Sequence, residues 1–166
     1  MTLPRRFSAA VIAAAAALTV SFGPANAIAQ SASPPPGCTG PVSNTWLNVT
    51  ATGLRNGNGL LAITLYEDKP SKFLARHGSL YVGRTDAVAG TTHACIFVPR
   101  PGIYALALYH DENGNQKIDR SGIGLPTEGF GFSNNPSTLA GIPSFRSVRL
   151  NVSRTGLSTR VNMRYP

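Results

Sequence analysis

"WLNVTATGLRNGNGLLAITLYE", residues 46–67, reads as two strands around a turn. In 46–54, Leu47, Val49 and Ala51 fall on one face, and Trp46, Asn48 and Thr50 on the other. That period of two is the signature of a half-buried strand. RNGNG (55–59) is a turn cluster, because Asn-Gly readily takes positive φ. LLAITLYE (60–67) resumes the apolar run, so the stretch predicts a β-hairpin.

Working outward, most of the chain has the same character. In 68–78, Asp68 can cap, Pro70 suits a first turn and Gly78 can end it, which predicts a helix of one or two turns pinned to the sheet by Phe73 and Leu74. Residues 79–84 and 92–100 read as strands. IYALALYH (103–110) is apolar on both faces and predicts a central strand. Residues 145–153 and 157–165 alternate again. They predict a closing hairpin with Val148, Leu150, Val152, Val161, Met163 and Tyr165 inward and Arg149, Arg160 and Arg164 outward. Six to seven short strands with one short helix predict an all-β fold, an antiparallel β-sandwich of immunoglobulin-like or transthyretin-like outline. No period of a repeat protein recurs.

The N-terminus is organised differently. Arg5 and Arg6 precede an apolar run over 7–20, and Ala25-Asn26-Ala27 supplies a small-x-small cleavage pattern. Residues 1–27 therefore read as a secretory signal peptide, the run being short of the roughly 20 residues that span a bilayer. Residues 28–43 are rich in Ser, Pro and Gly and read as a disordered tail, which leaves 44–166 as the sandwich domain. The expected location is periplasmic or secreted, with no membrane span after cleavage. Cys38 and Cys95 both lie in the exported part, and an even count in an oxidising compartment predicts a disulfide between them.

The formal charge is +8, and removing Arg5 and Arg6 leaves +6. No acid follows Glu128, while five arginines do. Such a field attracts polyanions. For an exported protein these are anionic envelope polymers or lipid head groups, not nucleic acid. Arg149, Arg160 and Arg164 are the candidate anion patch.

Against this background YHDENGNQKID (109–119) stands out, holding three of the chain's seven acids. Asp111, Asn113, Asn115, Lys117 and Asp119 occupy positions 1, 3, 5, 7 and 9 of a loop. Alternating oxygen donors in that order wrap calcium, position 7 contributing its backbone carbonyl. Calcium is thus the candidate cofactor. Three features depart from an EF-hand: Gln116 stands where the sharp-turn glycine belongs, Gly122 replaces the bidentate glutamate at position 12, and no flanking helices are predicted. The competing expectation is a loop capped by its own Asp and Asn side chains without metal.

YHDENGNQKID, followed by GIGLPTEGFGFSNN and preceded by PGIYALALY, resembles an uncharacterised family of exported bacterial proteins, grouped as a domain of unknown function. The resemblance covers about residues 46–165. It implies an exported β-sandwich similar in outline to transthyretin-like and carboxypeptidase-regulatory-like domains, and it implies no activity.

Catalytic readings are weak. His110 and Asp111 adjoin on a strand and point to opposite sides, and no G-x-S-x-G occurs. A carboxylate pair of Asp111 with Glu112 or Glu128 has no readable separation, and His77, His93 and His110 are too scattered for zinc. GFGFSNN (129–135) offers a ligand-contacting rim, Phe130 and Phe132 stacking and Asn134 and Asn135 hydrogen-bonding. The expected function is an exported, non-catalytic module for envelope binding or scaffolding. The rivals are a hydrolase acting on envelope material through the His110-Asp111 loop, and a purely structural accessory domain.

Overall fold

A computed structural model describes residues 33–138 and 142–166. The expected signal peptide and the start of the tail lie outside the described residues. Among the described residues, eight strands form two sheets. The first has the order β4 (Gly90–Val98), β1 (Thr45–Leu54), β8 (Leu157–Asn162). The second has the order β3 (Tyr81–Asp86), β2 (Leu60–Glu67), β5 (Gly102–Asp111), β6 (Phe130–Phe132), with β7 (Leu150–Val152) also on β5. The sandwich expectation holds, with eight strands in place of six or seven. It is not wholly antiparallel: β8 runs parallel to β1, Leu47 facing Leu157.

Both predicted hairpins are absent. β1 pairs with β4 and β8, whereas β2 pairs with β3 and β5. Residues 55–59 carry the chain from one sheet to the other, beginning where Gly53 takes φ 82° and the β1 register shifts. At the other end, β7 adds to β5 and β8 adds to β1, with 154–156 crossing between sheets and the Gly156 N–H bonding the Trp46 carbonyl at 3.0 Å. The physical reason is common to both. Alternation fixes which face is buried, and a sandwich has two sheets that want the same face inward.

The inward faces are as the alternation requires. Leu47, Val49 and Ala51 of one sheet meet Leu61, Ile63 and Leu65 of the other, alongside Tyr104, Leu106 and Leu108 of the neighbouring β5, all buried. Each fully buried aliphatic side chain here contributes about 1.5–3 kcal/mol relative to exposure. β5 is central, flanked by β2 on one edge and β6 and β7 on the other.

Residues 145–148, expected as strand, form a four-residue helix, α1 (Phe145–Val148). Its Phe145 and Val148 pack on Tyr66 and Ala105, on the outer face of the five-stranded sheet. The 68–78 segment keeps a single 3-10 turn, Pro70–Lys72. Phe73 anchors it, edge-on to Tyr66, Phe145 and Phe132 at 5.2, 5.7 and 6.1 Å between ring centres. Leu74 does not pin the segment and remains 38% exposed.

Cys38 and Cys95 are disulfide-bonded, with Cα atoms 4.3 Å apart. The end of the expected disordered tail is consequently ordered. The Thr39 N–H bonds the Cys95 carbonyl and the Thr39 carbonyl accepts the Phe97 N–H, both at 2.9 Å, covering part of the free edge of β4. Gly40 and Gly83 leave the room this needs, since a Cβ on Gly40 would enter the Tyr81 ring and one on Gly83 the Thr39 side chain.

Candidate functional site

The acidic loop grows from the end of β5, where His110 and Asp111 are fully buried. Opposite directions on the strand send them to different partners. His110 faces a carbonyl and a hydroxyl: Nε2 lies 2.8 Å from the Asn58 carbonyl, and Nδ1 lies 2.6 Å from the Tyr165 hydroxyl. A carbonyl can only accept, so Nε2 donates to Asn58, while Nδ1 shares its hydrogen bond with the Tyr165 hydroxyl. Tyr165 in turn accepts the Arg55 N–H at 3.1 Å, and the Arg55 guanidinium lies 4.7 Å from the centre of its ring. Arg55 grips Glu112 with two nitrogens and Asn56 adds a third bond. Those hydrogen bonds from Arg55, foremost, hold the Glu112 carboxyl below its usual value. This network locks the 55–59 crossover onto the end of β5.

Asp111 turns the other way, into its own loop. Its Oδ1 accepts the Asn115 N–H at 3.0 Å and its Oδ2 the Gln116 N–H at 2.7 Å. Asn113 and Asn115 each accept the N–H two residues on, the Asx turn their type favours. Their amide nitrogens point to Asp119 at 2.7 and 2.9 Å. Glu128, also buried, closes the loop from outside by accepting the Glu112 and Asp119 N–H groups at 3.1 and 3.0 Å. Asp111, Asn113, Asn115 and Asp119 are therefore brought together, while the Lys117 side chain is exposed. Gln116 has φ 64°, the left-handed turn for which position 6 of a calcium loop uses glycine. Among the described residues, no three His, Cys, Asp or Glu side chains are grouped to hold a metal. Any cation would depend on the two asparagines, whose oxygens each retain a lone pair.

Beyond the carboxylates, the loop folds over the outer face of the five-stranded sheet. Between them lies a cavity of about 450 Å3. Thr64 and Tyr66 of β2, Ala107 and Tyr109 of β5, and Phe130 and Phe132 of β6 contribute from the sheet. Ile118, Arg120, Leu125 and Pro126 contribute from the loop, and Leu74 from the 3-10 segment. Arg120 is the one charged residue among the described lining residues. Burial pushes the hydroxyls of Tyr66 and Tyr109 up from their ordinary values, so both stay neutral, and Tyr109 donates to the Gln116 carbonyl at 3.0 Å. Leu125 is 60% and Ile123 84% exposed, a poor use of apolar side chains unless something covers them.

Of the proposed ligand-contact residues, Phe130 and Phe132 line this cavity. Asn134 and Asn135 do not share that position. Asn134 donates to the Arg149 carbonyl at 2.6 Å, and Asn135 donates to the Arg160 carbonyl and accepts the Asn162 N–H. Both take positive φ and act as struts behind β6. The three arginines of the anion patch are exposed, but not on one antiparallel pair. Arg149 follows α1 and pairs with Asp68 at 2.9 Å, Arg160 lies on β8, and Arg164 bonds Thr138 at 3.3 Å. Neither His110, Asp111 nor Glu128 lines this cavity, and Ser133 is buried against the Leu106 and Val148 backbone.

Nothing in the sequence marks Thr64, Tyr66, Ala107 and Tyr109 as site residues. They are the second apolar face of strands whose first face makes the core. The signal available in the sequence is Leu125, an apolar residue in a glycine-rich loop, together with a β5 segment that is apolar on both faces.

No curated protein and no solved structure matches this chain. A family model described as "Uncharacterized protein conserved in bacteria (DUF2141)" matches residues 49–160, which run from β1 to β8 and include the whole acidic loop and the cavity's sheet face. The chain belongs to this bacterial family.

Proposed function

We propose that the protein is an exported, non-catalytic binding module of the bacterial envelope, and that its ligand lies in the groove between the acidic loop and the outer sheet face. Export rests on the signal-like sequence of residues 1–27 and on the disulfide. Among the described residues no helix is long and apolar enough to cross a membrane. The observation that carries the binding reading is the cavity itself: largely apolar, aromatic-floored and of ligand size. A hydrolase would need His110, Asp111 and Glu128 in an open cleft. Instead each is buried, and their nitrogens and oxygens are engaged by the chain.

A neutral naphthyl probe such as N-phenyl-1-naphthylamine tests this reading. Its fluorescence should rise with the mature protein, and Ala107→Leu, which fills the floor, should abolish the rise while leaving the melting temperature close to that of wild type. A folded wild-type protein that never takes up the probe supports the purely structural reading instead.

A second reading concerns the loop, and one observation favours it. Gln116 adopts the left-handed turn of a calcium loop although it is not glycine. Calcium would take the place of the Asn113 and Asn115 amide donors at Asp119, with Asp111 and the Lys117 carbonyl completing the set. The cation would brace the segment that supplies Ile118 and Arg120 to the groove.

A further inference from the structure

We infer that the groove takes a single-chain anionic amphiphile of the fatty-acid class, its hydrocarbon chain against Tyr66, Ala107, Phe130 and Phe132 and its carboxylate at Arg120. This rests on the groove being the ligand site, and adds the chemical class of the ligand.

Charge carries the inference. The chain has few acids, and those nearest the groove are engaged elsewhere. Glu112 is paired with Arg55, whereas the oxygens of Asp111, Glu128 and Asp119 are occupied by neutral backbone N–H groups and asparagine amides, and none of the four pairs with Arg120. No carboxylate is among the described lining residues. Arg120 donates one bond to the Gly124 carbonyl at 2.8 Å and forms no ion pair among the described residues. An exposed guanidinium with donors to spare, at the lip of an apolar cavity, is complementary to a carboxylate joined to a hydrocarbon. Two more cations reinforce the sign: Arg84 reaches the Gln116 carbonyl beside Tyr109, and Arg164 bonds Thr138 on the groove's other flank.

Shape agrees. The sheet contributes Thr64, Tyr66, Ala107, Tyr109, Phe130 and Phe132, none of them charged, which suits a hydrocarbon body and disfavours a polyanion. Leu74 and Leu125 extend the apolar surface outward from the cavity, as an acyl chain longer than the cavity would require.

The test uses the mature protein loaded with the neutral naphthyl probe at pH 8, below micelle-forming concentrations. Dodecanoate, dodecanol and dodecylamine are compared as displacing ligands. Dodecanoate should displace the probe about tenfold more tightly than dodecanol, the margin of one charge-assisted contact. Arg120→Gln should erase that preference without loss of dodecanol binding, and Arg120→Lys should restore most of it. Equal displacement by dodecanoate and dodecanol, or tighter displacement by dodecylamine, overturns the anionic head while leaving the groove reading intact. Failure of all three against a bound probe overturns the acyl chain. A probe that does not bind at all removes the groove reading itself.

Discussion

Asp111 Oδ2 accepts the Gln116 N–H at 2.7 Å, and that bond holds Gln116 at φ 64°. A side chain with a Cβ in the left-handed region costs about 1–2 kcal/mol, less than the buried acceptor gains from its two donors. Gln116→Gly removes the conformational cost and keeps the bond, because the donor is backbone. The expected outcome is an increase in unfolding free energy of about 1 kcal/mol in a denaturant titration, offset only partly by glycine's freedom in the unfolded chain. A decrease would mean that the glutamine side chain itself supports the loop.

The same loop should respond to calcium. If the folded state alone binds the ion, stability rises by about 2.7 kcal/mol at a hundredfold excess over the dissociation constant. The mature protein should therefore melt higher in several millimolar calcium than in EDTA. Asp119→Ala should eliminate the difference while leaving a folded protein, since Asp119 lies on the exposed side of the loop contacts. A wild-type curve that does not move leaves the loop capped by its own side chains.

Glu112 predicts an acid dependence. Arg55 lowers its folded value below the ordinary 4.5, so its contribution to stability is complete above that pH and is lost as pH falls through the lower, folded value. Glu112→Gln should flatten the stability profile below about pH 4.5 and lower stability at neutral pH. An unchanged acid limb would place the dependence on other carboxylates.

The disulfide closes a loop of sequence separation 57, worth about 4 kcal/mol in the chain-entropy treatment. Reduction should lower the melting temperature and release residues 38–40 from β4, seen as faster amide exchange at Phe97. Two freely alkylatable thiols in protein recovered from an oxidising compartment would contradict the bond.

The sequence made the faces legible and the partners illegible. Leu47, Val49 and Ala51 alternate with Trp46, Asn48 and Thr50, and that decides which face meets the other sheet; Trp46, on the opposite face, is buried against Cys95 and Phe97. Nothing in the period says that β1 should leave β2 for β4 and β8, because either partner buries the same side chains. The loop was legible for a related reason: Asp111, Asn113 and Asn115 act on N–H groups two to five residues away. Glu128, 16 residues from the Glu112 N–H that it accepts, needed the fold to be recognised. The groove was least legible, because Thr64, Tyr66 and Ala107 come together only when β2 pairs with β5.

The most direct measurement maps the ligand site residue by residue. The isotope-labelled mature protein is titrated with the neutral naphthyl probe, and amide shifts are followed by NMR. Shifts should concentrate at Thr64, Tyr66, Ala107, Phe130 and Phe132, spreading to Ile118 and Arg120 in the loop. Shifts confined instead to Asn48, Thr50 and His93, on the outer face of the other sheet, or no shifts at all, would contradict a binding groove beneath the acidic loop.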